Sequence, residues 1–334
     1  MINYILIFAS ALIIVMVTMP FAKRIALHLG FIDHPNDRKV HTSPLPRLGG
    51  VAIYIGCILA LLLSDRFYLS QLMSIMIGAT IVSFLGIWDD YKTLKPLIKL
   101  GGQTLAGLIL IYSGIKVNFL PYETLNIIAT LGWVIAITNA LNLLDNMDGL
   151  SGGVATIACT FYFLIAVMTG QYLVASLTAA LLGACLGFLY YNFNPASIFM
   201  GDSGSLFIGF LLATVGIKLR FPSNVAFVTW MVPVIVLGLP LFDTTLVIIS
   251  RLRRGLNPLT TPGKDHVSHR LVKMGASHRE AVLILYLACC CFGLVAMFLM
   301  HANLFEGYLI GLLLCIMAVY AILRMEKILV QNNC

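Results

Sequence analysis

The chain has 334 residues, of which 60% are hydrophobic and 10% are charged, with a formal net charge of +7. A soluble domain carries about 25% charged residues, so most of this surface cannot face water. The positive balance reflects a shortage of acids, without a basic stripe alternating with aromatic residues, which excludes a nucleic-acid-binding protein. Collagen, disordered chains and disulfide scaffolds are excluded by the composition. The sequence therefore predicts an integral membrane protein.

Apolar segments recur along the chain and predict an all-α, polytopic integral membrane protein with about 11 transmembrane helices. The predicted segments are 2–21, 48–64, 69–88, 98–115, 123–141, 153–169, 171–190, 205–219, 225–248, 281–300 and 303–323. They are too long and too uniformly apolar for barrel strands. Lys23 and Arg24 follow the first segment rather than precede it, so we expect a retained helix and not a cleaved signal peptide.

The basic residues predict the orientation of these segments. All but four of the 21 lysines and arginines fall on one side, the exceptions being Arg66, Lys116, Lys218 and Arg220. The positive-inside rule then places the N-terminus outside and the C-terminus in the cytoplasm. We expect a single domain over residues 1–334, with cytoplasmic active-site loops near 22–48, 89–97, 142–152, 191–204 and 251–280.

Acidic residues gather at the predicted cytoplasmic ends, and the first cluster is the pair Asp89 and Asp90. Two adjacent carboxylates repel each other unless a cation or a proton lies between them, which favours Mg²⁺ or a cationic partner. Carboxylates at a helix C-terminus also oppose the macrodipole. Helix-end charges that reach water are the alternative, and Glu280 and Glu326 are interpreted as such solvated charges.

A second cluster contains Asn142, Asp145 and Asp148, followed by Gly149. Their three-residue spacing would align them on one face of a helical segment. Carboxylate and amide oxygens suit Mg²⁺, and the glycines that follow let the backbone approach a phosphate. The sequence has no basic residue between Lys116 and Lys218 to neutralise this cluster locally.

A third cluster runs from Asn192 through Phe199 to Asp202, which lies between Gly201 and Ser203 where a helix is expected to begin. A helix N-terminus with small residues around it can accept a phosphate or support a metal-binding carboxylate. An ordinary N-cap is the alternative interpretation of Asp202, and the two roles are compatible.

The longest predicted cytoplasmic loop contains a compact run of His266, His269 and Arg270. These side chains can donate charge-assisted hydrogen bonds to diphosphate oxygens. Zinc binding and binding of anionic lipid headgroups are the alternatives, and the oxygen-rich clusters elsewhere favour magnesium. In the loop after the first segment, Arg38 and Lys39 are candidate phosphate ligands, with topology anchoring as the alternative.

These motifs, in this order, resemble those of the polyprenyl-phosphate N-acetylhexosamine-1-phosphate transferases over residues 30–280. The resemblance implies an enzyme of ten or eleven helices in the bacterial inner membrane, with its active site facing the cytoplasm. It implies transfer of N-acetylhexosamine 1-phosphate, most simply GlcNAc-1-phosphate, from a UDP-sugar to undecaprenyl phosphate, with release of UMP. Mg²⁺ is the implied cofactor, with Mn²⁺ as an alternative, and a cell-envelope polysaccharide such as O-antigen or lipopolysaccharide is the implied product pathway.

The resemblance also implies roles for matching residues. Asp202 matches the principal metal ligand, with Asn142 and Asp145 as its neighbours. Asp148, Asn192 and Phe199 match nucleotide contacts, and Asp89 and Asp90 match the pair that receives or activates the lipid phosphate. His266 and His269 match diphosphate-binding histidines, although their run is sparser than the dense histidine run of the peptidoglycan translocase branch and of many sugar transferases. That departure favours a sugar transferase over the alternative, a UDP-MurNAc-pentapeptide phosphotransferase.

The chemistry agrees with this resemblance. Attack of one phosphate on another gathers negative charge, so positioning and neutralisation dominate catalysis. Because the second pKa of a phosphate monoester is about 6, the acceptor is largely ionised at pH 7. Asp89 or Asp90 would therefore orient the lipid phosphate or accept a residual proton. An ion-coupled transporter is the alternative from another class, and the sequence leaves open whether the chain forms a homodimer.

Overall fold

The computed structural model describes residues 2–33, 44–62, 69–258, 261 and 263–331. The chain forms two compact units, Met1–Arg220 and Phe221–Cys334, and each is described by itself. The assignment of residues 1–334 to one domain stays a prediction.

In the described residues, the first unit consists of eight helices and one small sheet. Its helices are α1 (Ile2–Leu29), α2 (Gly49–Leu61), α3 (Leu69–Tyr91), α4 (Pro96–Tyr112), α5 (Glu123–Leu144), α6 (Leu150–Met168), α7 (Tyr172–Asn192) and α8 (Gly201–Lys218). The strands β1 (Ile32–Asp33) and β2 (Leu45–Pro46) pair antiparallel, with Ile32 opposite Pro46. This short pairing is the one departure from an all-helical structure among the described residues.

Helix α8 forms the centre of the first unit. Every residue from Ser203 to Ile217 is buried, which is typical of a helix that is apolar on all sides. It packs against α2, α3 and α5. A Cβ atom on Gly209 would lie 2.7 Å from Thr138 Cα, so a small residue is required where α8 meets α5. Small residues of this kind let membrane helices approach closely.

The described part of the second unit contains six helices, of which the first three form one broken segment. They are α9 (Ala226–Thr229), α10 (Met231–Val236), α11 (Gly238–Arg253), α12 (Val267–Lys273), α13 (His278–Leu299) and α14 (Leu304–Gln331). The predicted segment 225–248 is helical but is not one straight helix, because the chain bends by 75° between α10 and α11. Pro240 lies in the first turn of α11 and cannot donate to the preceding turn, which explains a break at Leu237.

Each of the predicted apolar segments contains helix, so the all-α, polytopic membrane fold is confirmed. Within the described residues, seven helices are long and apolar enough to cross a bilayer, or up to eight with the bent segment. Helices α2, α4 and α8 have only 13, 17 and 18 residues. The count of eleven spans and the orientation therefore stay predictions. Helix α1 continues to Leu29, beyond the predicted end at residue 21.

Candidate active site

The two acidic clusters of α3 and α8 meet within the first unit. Asp89 and Asp90 lie in the last turn of α3, and Asp202 lies in the first turn of α8. Two glycines permit this approach: a Cβ on Gly86 would lie 2.4 Å from the backbone of Asp202, and one on Gly201 would lie 2.6 Å from Asp90 Oδ2. Gly201 also has a φ of +70°, a conformation that glycine adopts without strain.

Asp90 holds the beginning of α8. Its Oδ1 accepts the backbone N–H of Asp202 at 2.9 Å, and its Oδ2 accepts that of Ser203 at 3.1 Å. Met200, at the N-cap position, makes no side-chain cap, so a carboxylate from another helix supplies the acceptors that a helix N-terminus needs. Asp202 itself is not the N-cap, which removes the alternative interpretation based on sequence.

Lys99, near the beginning of α4, joins the two clusters. Its Nζ lies 2.6 Å from Asp202 Oδ2 and 3.1 Å from Asp89 Oδ2. Asp89 Oδ1 also accepts the backbone N–H of Leu94 at 2.7 Å. Sequence reasoning used Lys99 only to orient the chain and missed its place in the site. The available signal was a single lysine that enters an apolar helix ten residues after Asp89.

The end of α5 contributes Asn142 and Asp145 to the same cluster. Asn142 donates to Ser205 Oγ at 2.9 Å and hydrogen-bonds the side chain of Asp202. Burial, followed by the nearby charges of Asp202 and Asp90, raises the pKa of Asp145 to about 7. The structure thus places Asn142 in contact with Asp202, and Asp145 close enough to feel the charge of Asp202.

The predicted helical face formed by Asn142, Asp145 and Asp148 is wrong in its geometry. Helix α5 ends at Leu144, and Asp145 is its C-cap residue with a φ of −77° and a ψ of 56°. Asp148 lies in the turn that follows, before Gly149 with its φ of +77°. The turn, rather than a shared helix face, positions the two aspartates.

Asp148 and Asn192 hold two loops beside each other. Asp148 Oδ2 accepts from Asn194 Nδ2 at 3.1 Å and from the backbone N–H of Ala196 at 3.0 Å. The buried Asn192 accepts the N–H of Gly149 at 2.9 Å and donates to the carbonyl of Ile198 at 2.9 Å. These bonds fix the loop that ends α7. The proposed nucleotide contacts of both residues stay predictions.

Phe199 is partly exposed, and its backbone is held at both ends. Its N–H donates to the carbonyl of Pro46 at 2.8 Å, and its carbonyl accepts the N–H of Gly49 at 3.0 Å. The ring is thus carried on a well-anchored segment, as a stacking role would require. Arg38 and Lys39 lie outside the described residues. Arg47, which follows Pro46 in the chain, pairs with the buried Asp33.

In the second unit, Asp243 positions the histidine segment. Its carboxylate is buried, accepts the N–H of Val267 at 2.7 Å and lies 2.7 Å from His266 Nδ1. This link is not readable from the sequence, because residues 243 and 266 are far apart along the chain. The rings of His266 and His269 lie 6.0 Å apart. Burial, with His266 and Lys264 adding to it, lowers the pKa of His269 to about 4, so this ring is neutral at pH 7.

Arg270 is 1% exposed, and its guanidinium is held inside the second unit. Its Nε donates to the carbonyl of Asp265 at 2.8 Å, and its Nη1 pairs with Glu326 at 2.9 Å. Glu326 also lies 3.5 Å from Arg253. The interpretation of Glu326 as a solvated charge is therefore wrong, since α14 places it against α12. Glu280 is exposed and forms a capping box with Ser277.

The donor set of the first unit suits a hard divalent cation. Asp202, Asp145 and Asn142 offer carboxylate and amide oxygens, which Mg²⁺ prefers. Four carboxylates act on one another in this cluster, from Asp89, Asp90, Asp145 and Asp202, and Lys99 and Arg47 offset them only in part. As the side chains stand, no group of three or more histidine, cysteine or acidic residues in the described parts of the chain is arranged around one metal position.

The fold and this site define a polytopic, all-α membrane protein with an acidic cluster at helix ends. A family model described as glycosyl transferase family 4 matches residues 72–220, which include Lys99 and all the predicted site residues of the first unit except Arg38 and Lys39. The chain is 36% identical over 331 residues to a probable undecaprenyl-phosphate N-acetylglucosaminyl 1-phosphate transferase of Bacillus subtilis, covering 96% of this chain and 92% of that protein.

Two further relatives agree with that match. A decaprenyl-phosphate N-acetylglucosaminephosphotransferase of Mycolicibacterium smegmatis is 33% identical, covering 83% of this chain and 77% of that protein. An undecaprenyl-phosphate alpha-N-acetylglucosaminyl 1-phosphate transferase of Escherichia coli K12 is 28% identical, and the match covers 80% of this chain and 76% of that protein. The chain belongs to the polyprenyl-phosphate N-acetylhexosamine-1-phosphate transferase family, and it is a sugar-phosphate transferase enzyme.

Proposed function

We propose that this protein transfers N-acetylglucosamine 1-phosphate from UDP-GlcNAc to undecaprenyl phosphate and releases UMP. The observation that carries the proposal is the identity with the Bacillus subtilis relative over nearly the whole chain. The junction of α3, α4 and α8, where Lys99 contacts both Asp89 and Asp202, supports it as the place of the chemistry. We further propose the bacterial inner membrane as location, with this junction facing the cytoplasm, and a cell-envelope polysaccharide as the product pathway.

In the proposed reaction, an oxygen of the lipid phosphate attacks the sugar-bearing phosphorus of the donor in line with the leaving UMP. A bond forms between that oxygen and phosphorus, while the bridging P–O bond of the diphosphate breaks and its electron pair leaves on UMP. Because both reactants are anionic, the protein must mainly position and neutralise them. The ammonium group of Lys99 supplies a positive charge between the carboxylates. Asp90 binds the first turn of α8, which contains Asp202.

Mg²⁺ is the proposed cofactor, with Mn²⁺ as an alternative, and Asp202, Asn142 and Asp145 would hold it. When bound, the cation neutralises diphosphate charge and polarises the phosphoryl oxygens. Asp89 or Asp90 would orient the acceptor or take up a residual proton. Both oxygens of Asp90 accept backbone N–H groups of α8, whereas Asp89 accepts the N–H of Leu94 and pairs with Lys99. His266 and His269 are proposed as diphosphate ligands, with Asp243 fixing the orientation of His266.

The test is UMP release by the purified full chain in detergent, with UDP-GlcNAc, undecaprenyl phosphate and Mg²⁺. We expect turnover that stops with a chelator, returns with added Mg²⁺ and is abolished in Asp202→Asn. Parallel reactions with UDP-GalNAc and UDP-MurNAc-pentapeptide define the sugar, and efficient use of the latter would favour the translocase branch. If no UDP-sugar yields UMP and liposomes containing the protein show substrate-driven ion flux, the transporter interpretation replaces this one.

A further inference from the structure

An open apolar groove lies along one face of α3, beside the carboxylate junction. It has a volume of about 640 Å³, and its lining includes Phe31, Ile81, Phe84, Trp88 and Tyr91. The α3 members recur at helical spacing and form one stripe. From Ile81 to Tyr91 a helix rises about 15 Å, so the groove follows about three turns of α3.

The groove leads directly to the candidate active site. Trp88 and Tyr91 flank Asp89 and Asp90 in the last turn of α3. The opposite face of that turn packs on α8, since Gly86 meets the backbone of Asp202. One short stretch of helix therefore presents the catalytic carboxylates on one side and the groove on another.

The wall of the groove also adjoins the helix that carries Lys99. Leu85 lines the groove and packs closely on Gly102 of α4. A Cβ atom on Gly102 would overlap the Leu85 side chain. The exposed residues Lys92 and Lys95 follow Tyr91 in the connection to α4. A ligand with its tail in the groove would thus have its head close to three lysines, which complements an anionic headgroup.

We propose that this groove binds the first isoprene units of the polyprenyl phosphate acceptor, with its phosphate towards the lysines; this assignment rests on the proposed function. The groove is open along its length, with Phe84 63% and Trp88 54% exposed, so a chain can enter sideways from the bilayer. Aromatic faces suit the flat, methyl-branched double bonds of an isoprenoid. Because the groove follows a single stripe of α3, it suits one chain better than the paired chains of a phospholipid.

Photolabelling tests the assignment without requiring turnover. The probe is a polyprenyl phosphate with a photoreactive group in its first isoprene units, added to the full chain in detergent. We expect labelling within residues 80–91 that excess undecaprenyl phosphate suppresses. Equal suppression by phosphatidylglycerol would make the groove a general lipid site and overturn the proposal, as would labelling confined to other helices.

Kinetics provide the second measurement. We expect Phe84→Ala and Trp88→Ala each to raise the KM for undecaprenyl phosphate about tenfold, because each removes aromatic surface that covers the chain. The KM for UDP-GlcNAc should not change, which also reports that the variants are folded. Phe298→Ala is the matched control, since Phe298 is 59% exposed on α13 and should have no effect.

Unchanged KM values for undecaprenyl phosphate in both groove variants would overturn the proposal, even with an active enzyme. If the wild-type chain releases no UMP while labelling still occurs in residues 80–91, the reaction is wrong and the lipid site stands. The two failures are therefore distinguishable.

Discussion

Replacing Asp90 by asparagine tests whether this residue acts by holding α8. Its two carboxylate oxygens accept the N–H groups of Asp202 and Ser203 at 2.9 and 3.1 Å. Asparagine keeps one acceptor oxygen and turns an NH₂ group towards the other N–H. The change therefore removes one charge-assisted bond and sets two donors against each other.

The size of the effect follows from these contacts. A hydrogen bond to a charged group contributes roughly 1.5–3 kcal/mol, and the helix N-terminus adds roughly 0.3–1 kcal/mol for a nearby negative charge. We expect a total loss of about 2–4 kcal/mol. If the loss is realised at Asp202 in the transition state, kcat/KM falls by about 30- to 1,000-fold. Asp90→Glu retains the negative charge, so its kcat/KM should fall less than that of Asp90→Asn.

The assay is Mg²⁺-dependent UMP release, combined with thermal unfolding in detergent. Asp90→Asn should lower both kcat/KM and Tm, because the same bonds serve position and stability. Glu280→Gln is the matched control: Glu280 also accepts a backbone N–H at a helix start, from Ser277 at 2.7 Å, but it is exposed. Activity of Asp90→Asn within threefold of the wild type would refute the reasoning, as would a large kcat loss with no change in Tm, which would instead indicate proton transfer.

Three other predictions concern Lys99, Glu326 and His269. Lys99→Met leaves the carboxylates of Asp89 and Asp202 uncompensated, so UMP release should fall at least about 100-fold, whereas Lys99→Arg should retain part of it; equal losses would contradict the ion-pair role. Glu326→Gln leaves Arg270 buried without its carboxylate partner and should destabilise the protein by about 3 kcal/mol, measured as Tm; an unchanged Tm would refute the pairing. Because the pKa of His269 is lowered to about 4 from its ordinary 6.5, its neutral form is favoured by folding. Its contribution to stability is full above pH 6.5 and is lost as the pH falls towards 4. His269→Gln should therefore show a smaller decrease of Tm than the wild type between pH 6.5 and pH 4. Parallel plots of Tm against pH for the two proteins would contradict a buried neutral ring.

Much of the helical framework is readable from the sequence because lipid imposes a simple rule. A backbone inside hydrocarbon must satisfy its own hydrogen bonds, so long apolar runs become helices. The break near Leu237 could not be predicted from the hydrophobic pattern, because Pro240 lies within an otherwise continuous apolar run. The end of α5 at Leu144 was missed for a related reason: the three-residue spacing that follows it imitates a helix face.

The identities of the carboxylates were recoverable from the sequence, since acids among apolar helices are costly and need a partner or a function. The different contacts that these carboxylates make could not be predicted from the sequence. Asp89 and Asp90 are neighbours of the same type, yet Asp90 binds the backbone at the beginning of α8 while Asp89 pairs with Lys99. That difference depends on which way each side chain points from the last turn of α3.

The sequence by itself determined a membrane-embedded, all-helical chain with its acids in a few clusters, because composition and hydrophobic patterning are local properties. Only the tertiary structure decided which cation meets those acids and which acid holds the histidine segment. Lys99 and Asp202 are separated by 103 positions, and Asp243 and His266 by 23. Contacts of that kind arise from helix packing, which glycines at positions such as 86 and 201 permit and which no local pattern encodes.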